Sequence, residues 1–261
     1  MSERVRVDRE GPVAFVWMTR ADKRNGLDLP MFEQLVAAGE ALATTSGVRA
    51  VVLAGEGPAF CAGLDFAAFM SDPSVAKKLL AREGVANLAQ AVAWVWRELP
   101  VPVVAAIHGA CFGGGLQIAL GADIRLAHPE AELSVMEIRW GLVPDMGITQ
   151  TLLPLVRPDV AKELTFTGRR VKAPEARELG LVTRLAEDPV AEARALAETI
   201  AAKSPHAIRA GKALYDRAAG LGAGDALALE TELQLPLLGS RNQMEAVQAN
   251  MQKREPRFDD V

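Results

Sequence analysis

Two glycine-rich stretches of the sequence could present main-chain N–H groups to a ligand. They cover residues 55–65, GEGPAFCAGLD, and residues 113–115, GGG. Each follows an apolar run typical of a buried strand and precedes a segment with helical spacing, so its N–H groups lie where a helix dipole favours negative charge. Two such groups converging on one point would form an oxyanion hole. The same glycines could instead serve only close packing of helix on strand, and neither stretch has the GxGxxG spacing of a dinucleotide site.

The segments before and between these stretches predict the elements that must hold them. Residues 5–18 alternate and turn at a Gly-Pro pair, which indicates two strands entering a sheet. Residues 28–45 have helical spacing, with Asp28 as a candidate N-cap. The β-branched runs 48–55 and 100–109 are typical of buried strands.

The rest of the chain changes character from strands to helices. Residues 71–99 are helix-prone, the run after the triplet glycines predicts a helix that continues into a strand, and residues 131–147 predict a strand and then an irregular loop. From residue 149 onward helical patterns dominate, including 190–204 and 225–240. We therefore expect one α/β unit, with a core over residues 1–200 and a helical region over residues 201–261.

Composition narrows the class of protein. The 261 residues carry a net charge of −4, which gives no electrostatic footprint for nucleic acid. The two cysteines, Cys61 and Cys111, have neither CxxC spacing nor a third sulfur ligand, so we expect reduced thiols and no metal cage. The first residues lack the apolar core of a signal peptide, and no apolar run is long enough to span a bilayer. A cytoplasmic protein without membrane or nucleic-acid partners is the expectation.

The glycine-rich stretches also carry a family resemblance. GEGPAFCAGLDF, PVPVVAAIHGACFGGGLQIALGADIRLA and MEIRWGLVPDMGITQTLLPLV resemble, in order and spacing, three signatures of the crotonase (enoyl-CoA hydratase/isomerase) superfamily. The likeness begins at ADKRNGLD, passes through LTFTGRRVKAPEARELGLV and ends at KREPRF, so it covers nearly the whole chain.

The resemblance implies a fold, an assembly and a ligand. The fold is a crotonase-like α/β spiral of ββα turns, with a C-terminal helical region that assembles a homotrimer or a hexamer. The ligand is an acyl-CoA thioester of fatty acid metabolism, so coenzyme A enters as part of the substrate and no cofactor is held permanently.

The resemblance also assigns binding residues. The thioester oxygen would accept hydrogen bonds from the main-chain N–H groups of Leu64 and Gly114, which would stabilise an enolate. The positions that correspond to coenzyme A contacts are Lys23, Arg24, Ala62 and Asp65. The variable substrate loop suggests an acyl pocket with Phe66, Phe69 and Met70, to which Trp140 is a further candidate.

Three residues decide which reaction the resemblance implies. Typical hydratases carry two glutamates, and this chain has Gln117 at the first position and Glu137 at the second. Glutamine cannot take a proton at neutral pH, although its amide can orient water or a ligand. The dienoyl-CoA isomerases pair a glutamate at the second position with an aspartate where this chain has Asp145. We therefore expect double-bond isomerisation, with Glu137 as base and Asp145 as a second acid/base or orienting group.

Three alternatives stay open. A 2-enoyl-CoA hydratase would use Gln117 to position water while Glu137 transfers the proton. A low-activity acyl-CoA-binding or scaffold protein, including one recruited to RNA, would need neither carboxylate. An aspartate at the position of Asp145 attacks an aromatic ring in the related dehalogenases, although those enzymes have an aromatic residue where this chain has Glu137.

Overall fold

A computed structural model describes residues 3–82 and 84–261 of the chain. Within these segments the strands are β1 (Val5–Glu10), β2 (Val13–Met18), β3 (Ala50–Gly55), β4 (Val103–Ile107), β5 (Ala110–Phe112), β6 (Ile124–Ala127), β7 (Glu132–Ser134), β8 (Val171–Lys172) and β9 (Arg184–Leu185). The α-helices are α1 (Leu29–Thr44), α2 (Phe66–Ser71), α3 (Pro73–Leu80), α4 (Leu88–Glu98), α5 (Gly114–Gly121), α6 (Ile148–Thr151), α7 (Pro158–Thr167), α8 (Ala173–Leu179), α9 (Pro189–Ala201), α10 (Pro205–Ala218), α11 (Ala223–Gln234) and α12 (Arg241–Gln252). Two 3₁₀ turns cover Ala21–Lys23 and Glu137–Trp140.

The strands form two sheets. The larger has the order β1-β2-β3-β4-β6-β9, in which the β1–β2 hairpin is antiparallel and every other pair is parallel. The smaller has the order β5-β7-β8, parallel and then antiparallel. Every residue of β3 and β4 is buried, as expected for parallel strands that helices cover on both faces.

Alternate residues of β3 enter two hydrophobic cores. Val51 and Leu53 belong to the core beneath α1, α4 and α5, whereas Val52 belongs to the core beneath α9. Helix α9 contributes small side chains four residues apart, Ala193 and Ala197, so that its backbone lies close to the sheet. The mixed α/β class and the C-terminal helices are confirmed.

A local signal places the start of α1 correctly. Asp28 caps α1 by accepting a hydrogen bond from the main-chain N–H of Met31 at 3.1 Å, as its residue type predicts. The predicted helical segment 71–99 is instead divided into α3 and α4, and α4 begins at a reciprocal capping box between Asn87 and Gln90. The three-residue strand β5 and the two-residue strands β8 and β9 were not predicted, because such short elements show no periodicity.

Candidate active site

A single strand bridge brings the two glycine-rich stretches together. Cys61 pairs with Cys111 in parallel, with Cys61 N–H donating to the Ala110 carbonyl and Phe112 N–H donating to the Cys61 carbonyl, both at 3.0 Å. Both thiols are buried, which raises the pKa of Cys61 to about 12 and that of Cys111 well above its ordinary value. The cysteines therefore act as small neutral packing groups at the junction of the two sheets.

Gly63 allows the two stretches to touch. Its φ of +90° is a conformation that side chains disfavour, and a Cβ there would lie 2.8 Å from the Phe112 carbonyl oxygen. The same Cβ would lie 3.8 Å from the nitrogen of Gly114, the first residue of α5. The residue after Gly63 and the first turn of α5 thus lie side by side.

The N–H groups of Leu64 and Gly114 are available to a ligand. Across residues 3–82 and 84–261, neither group donates to a protein acceptor. The bonds on either side of Leu64 are made, because Leu27 N–H donates to Gly63 and Asp65 N–H donates to Leu27. Both Leu64 and Gly114 line one cavity. Gly114 is also the first residue of α5, where the helix dipole favours negative charge.

This cavity, which we call the acyl cavity, has a volume of about 270 Å³ and mostly apolar walls. Three of the four predicted acyl-pocket side chains line it: Phe66, Phe69 and Trp140, with the rings of Phe66 and Trp140 stacked at 4.0 Å between centroids. Met70 does not line it, since its position on α2 leaves the side chain 74% exposed. The acidic side chains in the wall are those of Glu137 and Asp145.

Glu137 is the buried carboxylate of the acyl cavity. Its Oε1 accepts a hydrogen bond from Gln117 Nε2 at 2.7 Å, and its buried Oε2 has no partner among the described residues. A Cβ at position 113 would lie 3.3 Å from Oε1, so Gly113 leaves room for the carboxylate. Burial raises the pKa of Glu137, and the charge of Asp145 adds to that effect while the Gln117 hydrogen bond opposes it. A carboxylate in this state is a stronger base than an exposed one.

Gln117 holds Glu137 from behind the cavity wall. Its side chain is 1% exposed and is not part of the described lining of the acyl cavity. Its Nε2 donates to Glu137 and its Oε1 accepts from the main-chain N–H of Met146 at 2.8 Å. One amide therefore fixes both the carboxylate of Glu137 and the chain next to Asp145.

Asp145 lies in the wall of the acyl cavity with its side chain still open to solvent. Partial burial raises the pKa of Asp145, and a hydrogen bond from the main chain opposes this shift only in part. The structure thus brings the two predicted carboxylates to one cavity, with Glu137 deeper than Asp145.

Of the predicted coenzyme A residues, Ala62 and Asp65 belong to the first glycine-rich stretch, and Lys23 and Arg24 lie on the chain segment hydrogen-bonded to it. Lys23 and Arg24 are exposed, and the Arg24 carbonyl accepts from Ala62 N–H at 2.9 Å. Asp65 has both oxygens engaged, since it caps α2 through Ala68 N–H and pairs with Arg20 at 2.8 Å. Burial opposes ionisation of Asp65, but these two partners hold its pKa below the ordinary value. Its carboxylate therefore has a structural task beside any contact with a ligand.

Sequence reasoning missed part of the site. The main-chain N–H of Met146 carries no side-chain signal, and the apolar wall residues Phe32, Leu79 and Val143 are ordinary hydrophobic residues in sequence. Across the described residues no group of three or more His, Cys, Asp or Glu side chains could hold a metal ion. No described helix is both long and apolar enough to cross a membrane.

Comparison with known proteins identifies the family. The family model described as enoyl-CoA hydratase/isomerase matches residues 8–261, and the chain belongs to this family. It is therefore an enzyme of a family that acts on acyl-CoA thioesters, in agreement with the predicted crotonase resemblance.

Relatives carry both activities in their names. The mitochondrial Delta(3,5)-Delta(2,4)-dienoyl-CoA isomerase of Mus musculus is 32% identical over 93% of this chain and 77% of its own. The enoyl-CoA hydratase EchA19 of Mycobacterium tuberculosis is 30% identical over 97% of this chain and 95% of its own. The crystal structure of an enoyl-CoA hydratase from Bacillus anthracis superimposes with a TM-score of 0.91 at 29% identity, covering 98% of this chain and 99% of that one.

Proposed function

We propose that this protein isomerises a double bond in an enoyl thioester of coenzyme A, with Glu137 as the base. One observation carries the proposal: Glu137, whose Oε2 has no partner among the described residues, lines the same apolar cavity as Leu64 and Gly114, whose N–H groups donate to no acceptor in residues 3–82 and 84–261. A carbon acid beside a thioester needs a base and a stabiliser of the enolate oxygen, and this cavity supplies both.

The isomerisation moves one proton and one double bond and leaves the composition of the substrate unchanged. The thioester oxygen accepts hydrogen bonds from Leu64 and Gly114, and Glu137 Oε2 removes a proton from the α-carbon of a 3-enoyl group. The electron pair delocalises onto the thioester oxygen and the γ-carbon. Glu137 then returns the proton to the γ-carbon, which moves the double bond into conjugation with the thioester. On a 3,5-dienoyl group, protonated Asp145 donates its proton to the ε-carbon and so widens the range of the shift. Glu137 then releases the α-proton to solvent and Asp145 takes up a proton from solvent before the next turnover.

Gln117 favours isomerisation over hydration. Hydration needs a second group that holds a water against the substrate, and Gln117 lies behind the wall with its amide engaged on both sides. Coenzyme A enters with the substrate, and the exposed cations Lys23 and Arg24 are placed to meet its phosphates beside Ala62 and Asp65. Assembly into a homotrimer or hexamer through residues 201–261, and a cytoplasmic location, complete the proposal.

Turnover of three substrates tests the reaction. With 3-enoyl-, 3,5-dienoyl- and 2-enoyl-CoA, the ultraviolet spectrum should report a double-bond shift for the first two and slow or absent hydration of the third. Glu137→Gln should lower kcat for the shift by about 10²–10⁴-fold, the usual contribution of a positioned base. The matched control is Glu187→Gln, because the Glu187 side chain is 89% exposed.

Two results would replace this proposal with another. Fast hydration of 2-enoyl-CoA with no shift of the other substrates would favour the hydratase, in which case Gln117 must reach a water. Negligible turnover by wild type, with calorimetric binding of acyl-CoA intact, would favour a binding or scaffold protein, and equal, substantial turnover by wild type and Glu137→Gln would remove Glu137 from the mechanism. Thermal unfolding of the variants separates either outcome from simple loss of the fold.

A further inference from the structure

A second cavity lies directly behind the acyl cavity. Its volume is also about 270 Å³, and four side chains line both spaces: Phe32, Leu64, Phe69 and Leu79. Residues that face two cavities at once form a partition between them. The second space, which we call the rear cavity, is bounded beyond the partition by the start of α1 and by the α2–α3 turn.

The polar side chains of the rear cavity already have protein partners. Asp28 caps α1 and pairs with Arg4 at 2.8 Å. Asp72 caps α3 through Ser74 N–H at 2.9 Å, and Ser71 Oγ donates to the Ala68 carbonyl at 2.7 Å. What remains for a ligand is the apolar wall, formed by Leu27, Leu29, Pro30, Ala68 and Val75. The two carboxylates disfavour an anion in the rear cavity, and its apolar side chains offer contact to hydrocarbon.

The partition has two half-buried members, Leu64 and Phe69, and Phe69 is the freer of them because the chain on both sides of Leu64 is hydrogen-bonded to Leu27. Phe32 and Leu79 are 2% and 4% exposed and belong to the main core. Phe69 is half-buried on α2, a six-residue helix none of whose side chains is fully buried. A rotamer change of Phe69 costs less packing than a displacement of Phe32 or Leu79, because fewer close contacts are lost.

We propose that the rear cavity is a distal acyl subsite, which the tail of a long linear acyl group enters when the Phe69 side chain swings aside. The inference rests on the proposed function, since it takes the acyl cavity as the place of the reacting end. Short acyl groups end in front of Phe69. Longer ones displace it and bury their last methylenes against the α1 and α2 walls.

A chain-length series on two variants tests the subsite. The quantity is the ratio of kcat/KM for a long-chain to a short-chain linear 3-enoyl-CoA. Phe69→Ala removes the partition and should raise this ratio about 10-fold or more, the usual worth of a methylene in a fitted apolar pocket. Ala68→Trp fills the rear cavity and should lower the ratio by a similar factor. Phe66→Ala is the matched control, because Phe66 lines only the acyl cavity on the same helix and should change both substrates alike.

Binding measurements separate this inference from the proposed function. Calorimetric affinities for saturated acyl-CoAs of the same lengths should show the same opposite changes in the two variants, whether or not the enzyme turns over. Absence of isomerase activity with these shifts present would contradict only the proposed reaction. An unchanged long-to-short ratio in both variants, each with a normal unfolding transition, would overturn the distal subsite.

Discussion

The reacting end and the acyl wall of the same cavity are held in different ways. Around Leu64, Gly114 and Glu137, position is fixed by main-chain hydrogen bonds, a strand bridge and the amide of Gln117. Along residues 66–80, two short helices carry side chains that are exposed or half-buried, apart from Leu79 and from Pro73, whose side chain is not described. Under the proposed function, the reacting groups therefore lie on firmly held chain segments, whereas the choice of acyl group depends on side chains carried by weakly packed helices.

Among the tests of this comparison, the largest loss of activity is expected at Gly114, the first residue of α5. Gly114→Pro removes the N–H, at a helix position where proline is otherwise tolerated, and should lower kcat by about 10²–10³-fold. Gly114→Ala keeps the N–H and supplies the matched control. The three atoms nearest its Cβ are side-chain ends of Leu27 and Met146, at 2.7, 2.8 and 3.2 Å, so these two side chains must shift in the control. Equal losses in the two variants, measured on 3-enoyl-CoA, would show that crowding and not the lost donor is responsible.

A smaller loss is expected when Gln117 no longer positions the base. Gln117→Met keeps the volume but removes both hydrogen bonds, so kcat should fall on the order of 10²-fold with little change in KM, because Gln117 does not line the acyl cavity. The variant also leaves the buried Met146 N–H unpaired, which should cost about 1–3 kcal/mol in the free energy of unfolding.

Gln117→Glu distinguishes positioning from mere packing. The carboxyl group introduced at position 117 can donate to Glu137 only while it is protonated. The activity of this variant should therefore be higher at low pH and should fall as rising pH removes the proton that the two carboxyl groups share. Gln117→Met cannot produce such an alkaline fall. A flat alkaline profile for Gln117→Glu would argue that the amide only fills space.

The smallest effect concerns the coupling of the two carboxylates. Glu137 works as a base in its ionised form, so activity is lost as pH falls through its pKa, which lies above the ordinary value because of burial. Asp145→Asn removes a like charge and should lower that pKa, moving the acidic limb of kcat/KM for 3-enoyl-CoA to lower pH. Glu187→Gln should leave the limb in place, and a limb unmoved by Asp145→Asn would show that the two groups do not interact.

Features that depend on local sequence pattern could be predicted from the sequence, whereas features that depend on contacts between distant segments could not. The buried strands β3 and β4 and the Asp28 cap follow from local pattern and residue chemistry, and the structure contains them. The roles of Glu137, Asp145 and Gln117 were expected through family resemblance and stay predictions, although the structure brings all three together. The hydrogen bond from Met146 was beyond sequence reasoning, since a main-chain N–H is the same at every residue. The exposed position of Met70 depends on which face of α2 packs inward, and a six-residue helix defines that poorly.

The Cys61–Cys111 bridge has a consequence for how this chain can vary in length. Leu64 and Gly114 each follow their cysteine by three residues, so the two N–H groups that we propose as oxyanion donors are counted from the same fixed point. An insertion or deletion in either three-residue step would carry one donor away from the other, whatever residues were used. The chain length between α2 and α4 has no such effect, because that stretch lies outside both three-residue steps. Changes of chain length between α3 and α4, over residues 81–87, would therefore leave the spacing of Leu64 and Gly114 intact.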